Sequence, residues 1–131
     1  MKNSRAWRGF FQFSAIFNFS AAFMMLFVPE FFFSILMMSE ALTAEAIPWL
    51  HQFGGLVLVF GMGYWLISTN PMLHKDIVWM GCVGKIVVFT IAWIDIAFFA
   101  APIGFGILVI ADLIFAMFFA AFFVKRGEAR K

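Results

Sequence analysis

The chain has 131 residues, of which 65% are hydrophobic and 12% charged, and its formal net charge is +2. A soluble domain of this size leaves roughly a third of its unfolded surface exposed, and this composition supplies too few polar residues to cover it, which points to an integral membrane protein. The small positive charge comes from flanking residues, suits contact with anionic lipid and gives no footprint for nucleic acid.

Lys2, Arg5 and Arg8 flank the start of a first apolar segment over Trp7 to Val28. A basic flank before an apolar run is also how a secretory signal begins. This run is too long for one, however, and its small residues Ser20 to Ala22 are followed by Phe23, Met24, Met25 and Leu26, so an uncleaved first helix is expected. Three further segments, Ile47 to Ser68, Ile77 to Phe99 and Ile103 to Val124, have the same character. About 20 apolar residues at about 1.5 Å each cross roughly 30 Å of hydrocarbon. The expected fold is all-α, an up-down four-helix membrane bundle occupying residues 1–131 as a single domain with no soluble domain beside it.

Charge placement predicts the orientation. Besides the N-terminal flank, His74, Lys75 and Asp76 lie between the second and third segments, and Lys125, Arg126, Glu128, Arg130 and Lys131 follow the fourth. The other two connections carry no Lys or Arg; the first of them holds Glu30, Glu40 and Glu45. By the positive-inside rule both termini are cytoplasmic. Pro29 and Pro48 bound the acidic connection, Asn70-Pro71 marks the cytoplasmic turn, and Ala101-Pro102 marks the second outer turn. The stretch Pro29-Glu30-Phe31-Phe32-Phe33 is too apolar for a solvated coil. It is expected to form a short interfacial helix, to pack over the bundle mouth, or to continue the first helix with tilt. Trp7, Trp49, Trp65 and Trp79 fall near segment ends, as headgroup anchors do, whereas Trp93 lies deeper.

Helical spacing predicts which faces meet. Ser14, Asn18, Ala21 and Met25 align in the first segment, and His51, Gly54, Leu58, Gly61, Trp65 and Ser68 in the second. Gly81, Gly84, Lys85, Val88, Ala92 and Asp95 align in the third, and Asp112, Ala116 and Ala120 in the fourth. Four stripes of small and polar residues would converge on the interior and leave most of the bulky Phe side chains to lipid or the rim. A charge at membrane depth costs roughly 2.5–3.5 kcal/mol on insertion scales, so Lys85, Asp95 and Asp112 should face partners or a cavity. Counting residues along each segment puts Asn18 and Asp112 at mid-membrane and Lys85 somewhat nearer the cytoplasm, within reach of Asp112. A central cluster of Asn18, Lys85 and Asp112 is therefore expected, topped by an outer one of His51, Gln52 and Asp95 with Trp93 nearby. The bland alternative is that these groups only fix helix register, at about 0.6 kcal/mol per interaction.

Sharper chemistries find no support in the residues. His51 and His74 lie at opposite ends of one helix and do not suit a haem. No His, Cys and carboxylate set has the spacing of a zinc site, so no metal is expected. Cys82 stands alone, without a partner for a disulfide or for thiol exchange. Gly54-Gly55 and Gly61-Met62-Gly63 sit inside a hydrophobic helix and suit close packing better than phosphate binding. With no nucleophile, base and orienting residue to assemble, catalysis by the chain alone is not expected, and no cofactor is assigned.

The Arg5/Arg8 flank, Pro29-Glu30-Phe31, the run from Gly54-Gly55 to Gly61-Met62-Gly63-Tyr64, the Asn70-Pro71 turn and Gly84-Lys85 resemble small bacterial four-helix membrane proteins of the DoxX-like kind. The resemblance covers most of the chain and rests on hydrophobic pattern and a few small residues. It implies a multi-pass protein of the bacterial inner membrane; some members of that group are associated with quinone-linked sulfur oxidation or with redox partner complexes. The chain departs from a thiol-redox role by having no Cys-x-x-Cys. Nor does it look like the small multidrug-resistance transporters, since its first segment carries Asn18 where they carry a glutamate.

Two functional expectations follow, the first the leading one and the second its alternative. One is a non-enzymatic accessory or scaffold subunit that packs its Phe-rich outer faces against a larger membrane protein complex. The other is a site for a quinone, a lipid or another amphipathic ligand, or a proton path through Lys85, Asp95 and Asp112.

Overall fold

A computed structural model describes the backbone of residues 2–128, with side chains described from residue 4 to residue 126. The side chains of Lys2, Glu128, Arg130 and Lys131, which contribute to the charge asymmetry, lie outside the described residues. Five α-helices and one 3₁₀ turn follow in order: α1 (Lys2–Phe27), α2 (Pro29–Ile35), the 3₁₀ turn (Ser39–Ala41), α3 (Ala46–Thr69), α4 (Lys75–Phe98) and α5 (Ile103–Glu128). No strand occurs among the described residues. Four of the helices, α1, α3, α4 and α5, are long and apolar enough to cross a membrane. α1 and α5 extend beyond the apolar segments that predict them, because hydropathy marks the part suited to lipid while backbone hydrogen bonding continues into the basic flanks.

Contacts between the long helices run in reversed order along each packed pair. On α3, a Cβ placed on Gly54 would touch Met25 and Leu26 of α1, and one on Gly61 would lie 2.8 Å from the Phe19 ring of α1. These two glycines, seven residues apart, let the α1 and α3 backbones run close together. α4 and α5 also lie close. α1 and α5 instead meet through rings: Phe11 packs on Phe119 at 5.2 Å between centroids and Trp7 on Phe122 at 5.2 Å, while Tyr64 of α3 meets Phe119 edge-on at 5.1 Å. Such pairs add about 0.5–1.5 kcal/mol beyond their buried area. Phe11, Phe115, Phe119 and Phe122 are buried here together with Ile67 and Val78, at the end of the bundle where both termini lie.

Most of the 21 phenylalanines lie outside the core as expected, but six, Phe11, Phe32, Phe33, Phe115, Phe119 and Phe122, are buried and make the interior more aromatic than the small-residue stripes predict. In α5 the buried seam is Val109, Phe115, Ala116, Phe119 and Phe122, while Ala120 is exposed. The space between α1 and α5 is wide enough to demand large side chains. α3 is rotated from its expected stripe as well. Gly54, Gly61 and Ser68 are buried as predicted, but their buried companions lie on the Tyr64 side, and His51, Leu58 and Trp65 are exposed. Both choices are three or four residues from the glycines, so spacing alone fits either.

At the opposite end α2 folds over the bundle. Val28, forced out of helical geometry by the following proline, separates it from α1 (φ −137°, ψ 56°). Phe32 and Phe33 turn inward and join Met25, Leu36 and Met38 in a second buried cluster. The stretch is a short helix separate from α1 and packed over the mouth, and it does not continue the first helix with tilt. The strap ends in a Schellman turn, with Met37 left-handed at φ 54°, the Met37 N–H donating to the Ser34 carbonyl and the Met38 N–H to the Phe33 carbonyl. The Leu36 carbonyl rests on Gly104 at the start of α5, where any Cβ would collide with it. Gly104→Ala is therefore expected to lower stability by about 2 kcal/mol through overpacking. Ala100→Gly, which relieves a left-handed alanine (φ 56°), should raise it by up to about 1 kcal/mol. Thermal unfolding in detergent, followed by circular dichroism, measures both.

Candidate functional site

Between the two buried clusters lies a polar layer. The Lys85 Nζ on α4 donates to Asp112 Oδ1 on α5 at 2.6 Å, with side chains 7% and 22% exposed respectively. The ammonium also sits 5.4 Å from the Tyr64 ring centroid and 5.1 Å from that of Phe115, a placement in which ring quadrupoles help to offset its lost hydration. One helical turn along, the Cys82 thiol donates to the Ala116 carbonyl at 3.5 Å, a weak bond that fixes the register of α4 on α5. Asn18 on α1 donates through Nδ2 to the Val57 carbonyl of α3 at 3.3 Å. It thereby ties α1 to α3 and does not bond to the ion pair itself.

These groups surround a cavity of about 160 Å³ lined by Asn18, Phe53, Leu56, Val57, Phe60, Tyr64, Gly84, Lys85, Val88 and Asp112. A smaller one of about 50 Å³ adjoins it toward α2 and shares Asn18, Phe53, Val57, Val88 and Asp112. The walls are largely apolar and the polar atoms have hydrogen-bonding capacity left over. Lys85 uses only one of its three donors, and the second Asp112 oxygen, the Asn18 side-chain oxygen and the Tyr64 hydroxyl make no hydrogen bond among the described residues. No fully buried side-chain nitrogen or oxygen lacks a partner among the described residues. Tyr64 lines the cavity while being 1% exposed.

The predicted central residues are thus brought around one space: Asn18, Lys85 and Asp112 all line it. The predicted outer cluster is not assembled. His51 and Gln52 are exposed on α3, turned outward by the rotation that puts Gly54 and Gly61 against α1. The Asp95 carboxylate, half-buried, makes no hydrogen bond among the described residues, although its backbone carbonyl accepts from Phe99 N at 2.9 Å and Ala101 N at 3.2 Å. Trp93 packs on Phe89, 6.2 Å between centroids, and over Gly106 of α5, away from the cavity. Tyr64, the chain's single tyrosine, is the site residue that spacing missed. Its signal was a polar aromatic in the interior of an apolar helix, one turn from Gly61 and Ser68. No group of three or more His, Cys, Asp or Glu side chains suited to a metal ion occurs among the described residues.

Compared with family models, curated proteins and solved structures, the chain finds no match in any of the three. What the site can do must come from its own geometry. A compensated ion pair in apolar surroundings is costly to break from one side, because the remaining charge stays buried, at about 3 kcal/mol or more. Lys85→Met or Asp112→Leu alone should therefore lower unfolding stability by about 3 kcal/mol. The double substitution should cost distinctly less than either single one, and a double-mutant cycle in detergent measures the coupling.

Proposed function

We propose that the chain is an up-down four-helix protein of the bacterial inner membrane, with both termini cytoplasmic, that binds one small amphipathic molecule of the quinone or lipid class beside Lys85 and Asp112. The observation that carries this reading is the cavity of about 160 Å³ itself, which Lys85, Asp112 and Asn18 line together and beside which their remaining hydrogen-bonding capacity is left unused. Small-molecule sites commonly combine apolar walls with a few polar groups that fix orientation, as here. Polar pairs that serve only to hold helices together have no need of free volume beside them. The orientation is supported by exposed Arg5, Arg8, Lys75 and Lys125 at the end that holds both termini. The chain's helix pattern and turns resemble those of DoxX-like membrane proteins.

The accessory-subunit reading draws on a different feature, an apolar groove of about 380 Å³ outside α1 and α3, lined by Phe19, Met62, Trp65 and Leu66. Its other support is weakened, since several of the phenylalanines it needs on the outside are in the core. Native mass spectrometry of the chain released gently from its own membrane separates the two. Binding predicts one stoichiometric small molecule that is lost on Val88→Phe, which fills the cavity and leaves the ion pair intact, while the unfolding midpoint stays within a few degrees. A reproducible protein partner with an empty cavity would instead favour the accessory role. Reporter fusions at each terminus should show both on the cytoplasmic side.

A further inference from the structure

We infer that the cavity is loaded sideways, from the hydrocarbon between α3 and α4, by an uncharged molecule with a single-ring head and an apolar tail; this rests on the ligand-binding reading above. Both ends of the bundle are closed. Toward the termini Phe11, Phe119 and Ile67, all fully buried, fill the interior. Toward α2 the smaller cavity runs out against Met25, Phe105 and Leu108 beneath the strap. An aqueous path along the axis has to cross one of these aromatic or aliphatic layers, so the arrangement argues against proton or solute passage through Lys85 and Asp112.

The side between α3 and α4 is built differently. At the terminal end these helices are tightly joined, since a Cβ on Gly63 would lie 3.1 Å from Ile77 and one on Gly81 would lie 2.7 Å from Tyr64. Farther along, at the depth of the cavity, the join loosens. Gly84 has no side chain to fill the seam, and a Cβ there would meet only the Phe60 ring, at 3.6 Å. Leu56 lines the cavity and is nonetheless 61% exposed on the outer face. A residue that belongs both to the cavity wall and to the outer surface marks the opening, and in a membrane that surface is bathed by acyl chains.

Charge and size narrow the occupant. Lys85 and Asp112 neutralise one another, so a charged head would bring an uncompensated charge to membrane depth. An uncharged head with an acceptor for Lys85 or Tyr64 and a donor for Asp112 or Asn18 matches the free capacity. A cavity of about 160 Å³ is close to the roughly 150 Å³ that holds a benzene ring, and Phe53, Phe60 and Tyr64 offer rings to stack against. The tail then leaves past Leu56.

The test is photolabelling of the full chain in lipid nanodiscs with 4-decylphenol carrying a diazirine in its alkyl chain. Expected are saturable adducts on α3 and α4 beside the seam, displaced by excess unlabelled 4-decylphenol and not by decanoate. Leu56→Trp, or Gly84→Val if that variant folds poorly, should cut labelling at least tenfold, whereas Ile110→Trp, on an exposed face of α5 away from the cavity, leaves it unchanged. Labelling lost on Asp112→Asn but untouched by both seam variants overturns lateral entry while leaving the binding site in place. Equal displacement by decanoate overturns the uncharged head. If the native chain shows no saturable labelling yet carries a different stoichiometric molecule after gentle extraction, the ring-headed class is wrong. If it shows neither, the binding reading falls with it.

Discussion

Every other feature of the interior accommodates one ion pair. Lys85 and Asp112 lie on adjacent helices in a chain whose surroundings offer little to solvate either, and their contact at 2.6 Å is what makes an ammonium and a carboxylate tolerable there. Satisfying that contact fixes the rotation of α4 and α5 and their offset along one another. Phe115 and Tyr64 then have to sit where their ring faces flank the ammonium. The cavity lies directly beside the pair and is lined by both of its members.

Helix spacing is set in two ways in the same molecule. α1 and α3 approach through Gly54 and Gly61, so their contact is mostly backbone against side-chain stems, and the Asn18 amide can reach across to the Val57 carbonyl. α1 and α5 are held apart by rings packed in tilted and edge-on pairs. A bundle with one tight seam and one ring-filled seam is asymmetric about its axis, and the looser α3–α4 seam at the depth of Gly84 falls where neither device operates.

The four apolar helices were legible from hydropathy because length and composition suffice to recognise a segment suited to lipid. The central trio of Asn18, Lys85 and Asp112 was legible because polar side chains in such segments are few and seek one another. Faces were harder to read. In α3 the glycines fixed one edge of the seam, but His51 and Leu50 flank that edge equally well, and only contact with the Asn18 side of α1 selects among them. The outer cluster failed for this reason, since it needed His51 and Gln52 to turn inward. The aromatic core was illegible because phenylalanine is equally at home against lipid and against protein, so hydropathy assigns it no side. Tyr64 was overlooked because a single hydroxyl barely alters the hydropathy of its helix.

The separation of 27 positions from Lys85 to Asp112 acquires a temporal meaning in a chain inserted during its synthesis. At roughly 5–20 residues per second, α4 emerges between about one and five seconds before its counter-ion exists. During that interval the lysine has only its flexible stem, with which it can reach toward the nearer headgroups. α4 therefore enters as a provisional partner of α3, and its final depth is decided by α5. Arrival of α5 delivers both the carboxylate that draws Lys85 inward and the rings that seal the terminal end, so closure of the bundle and burial of its charge are one event.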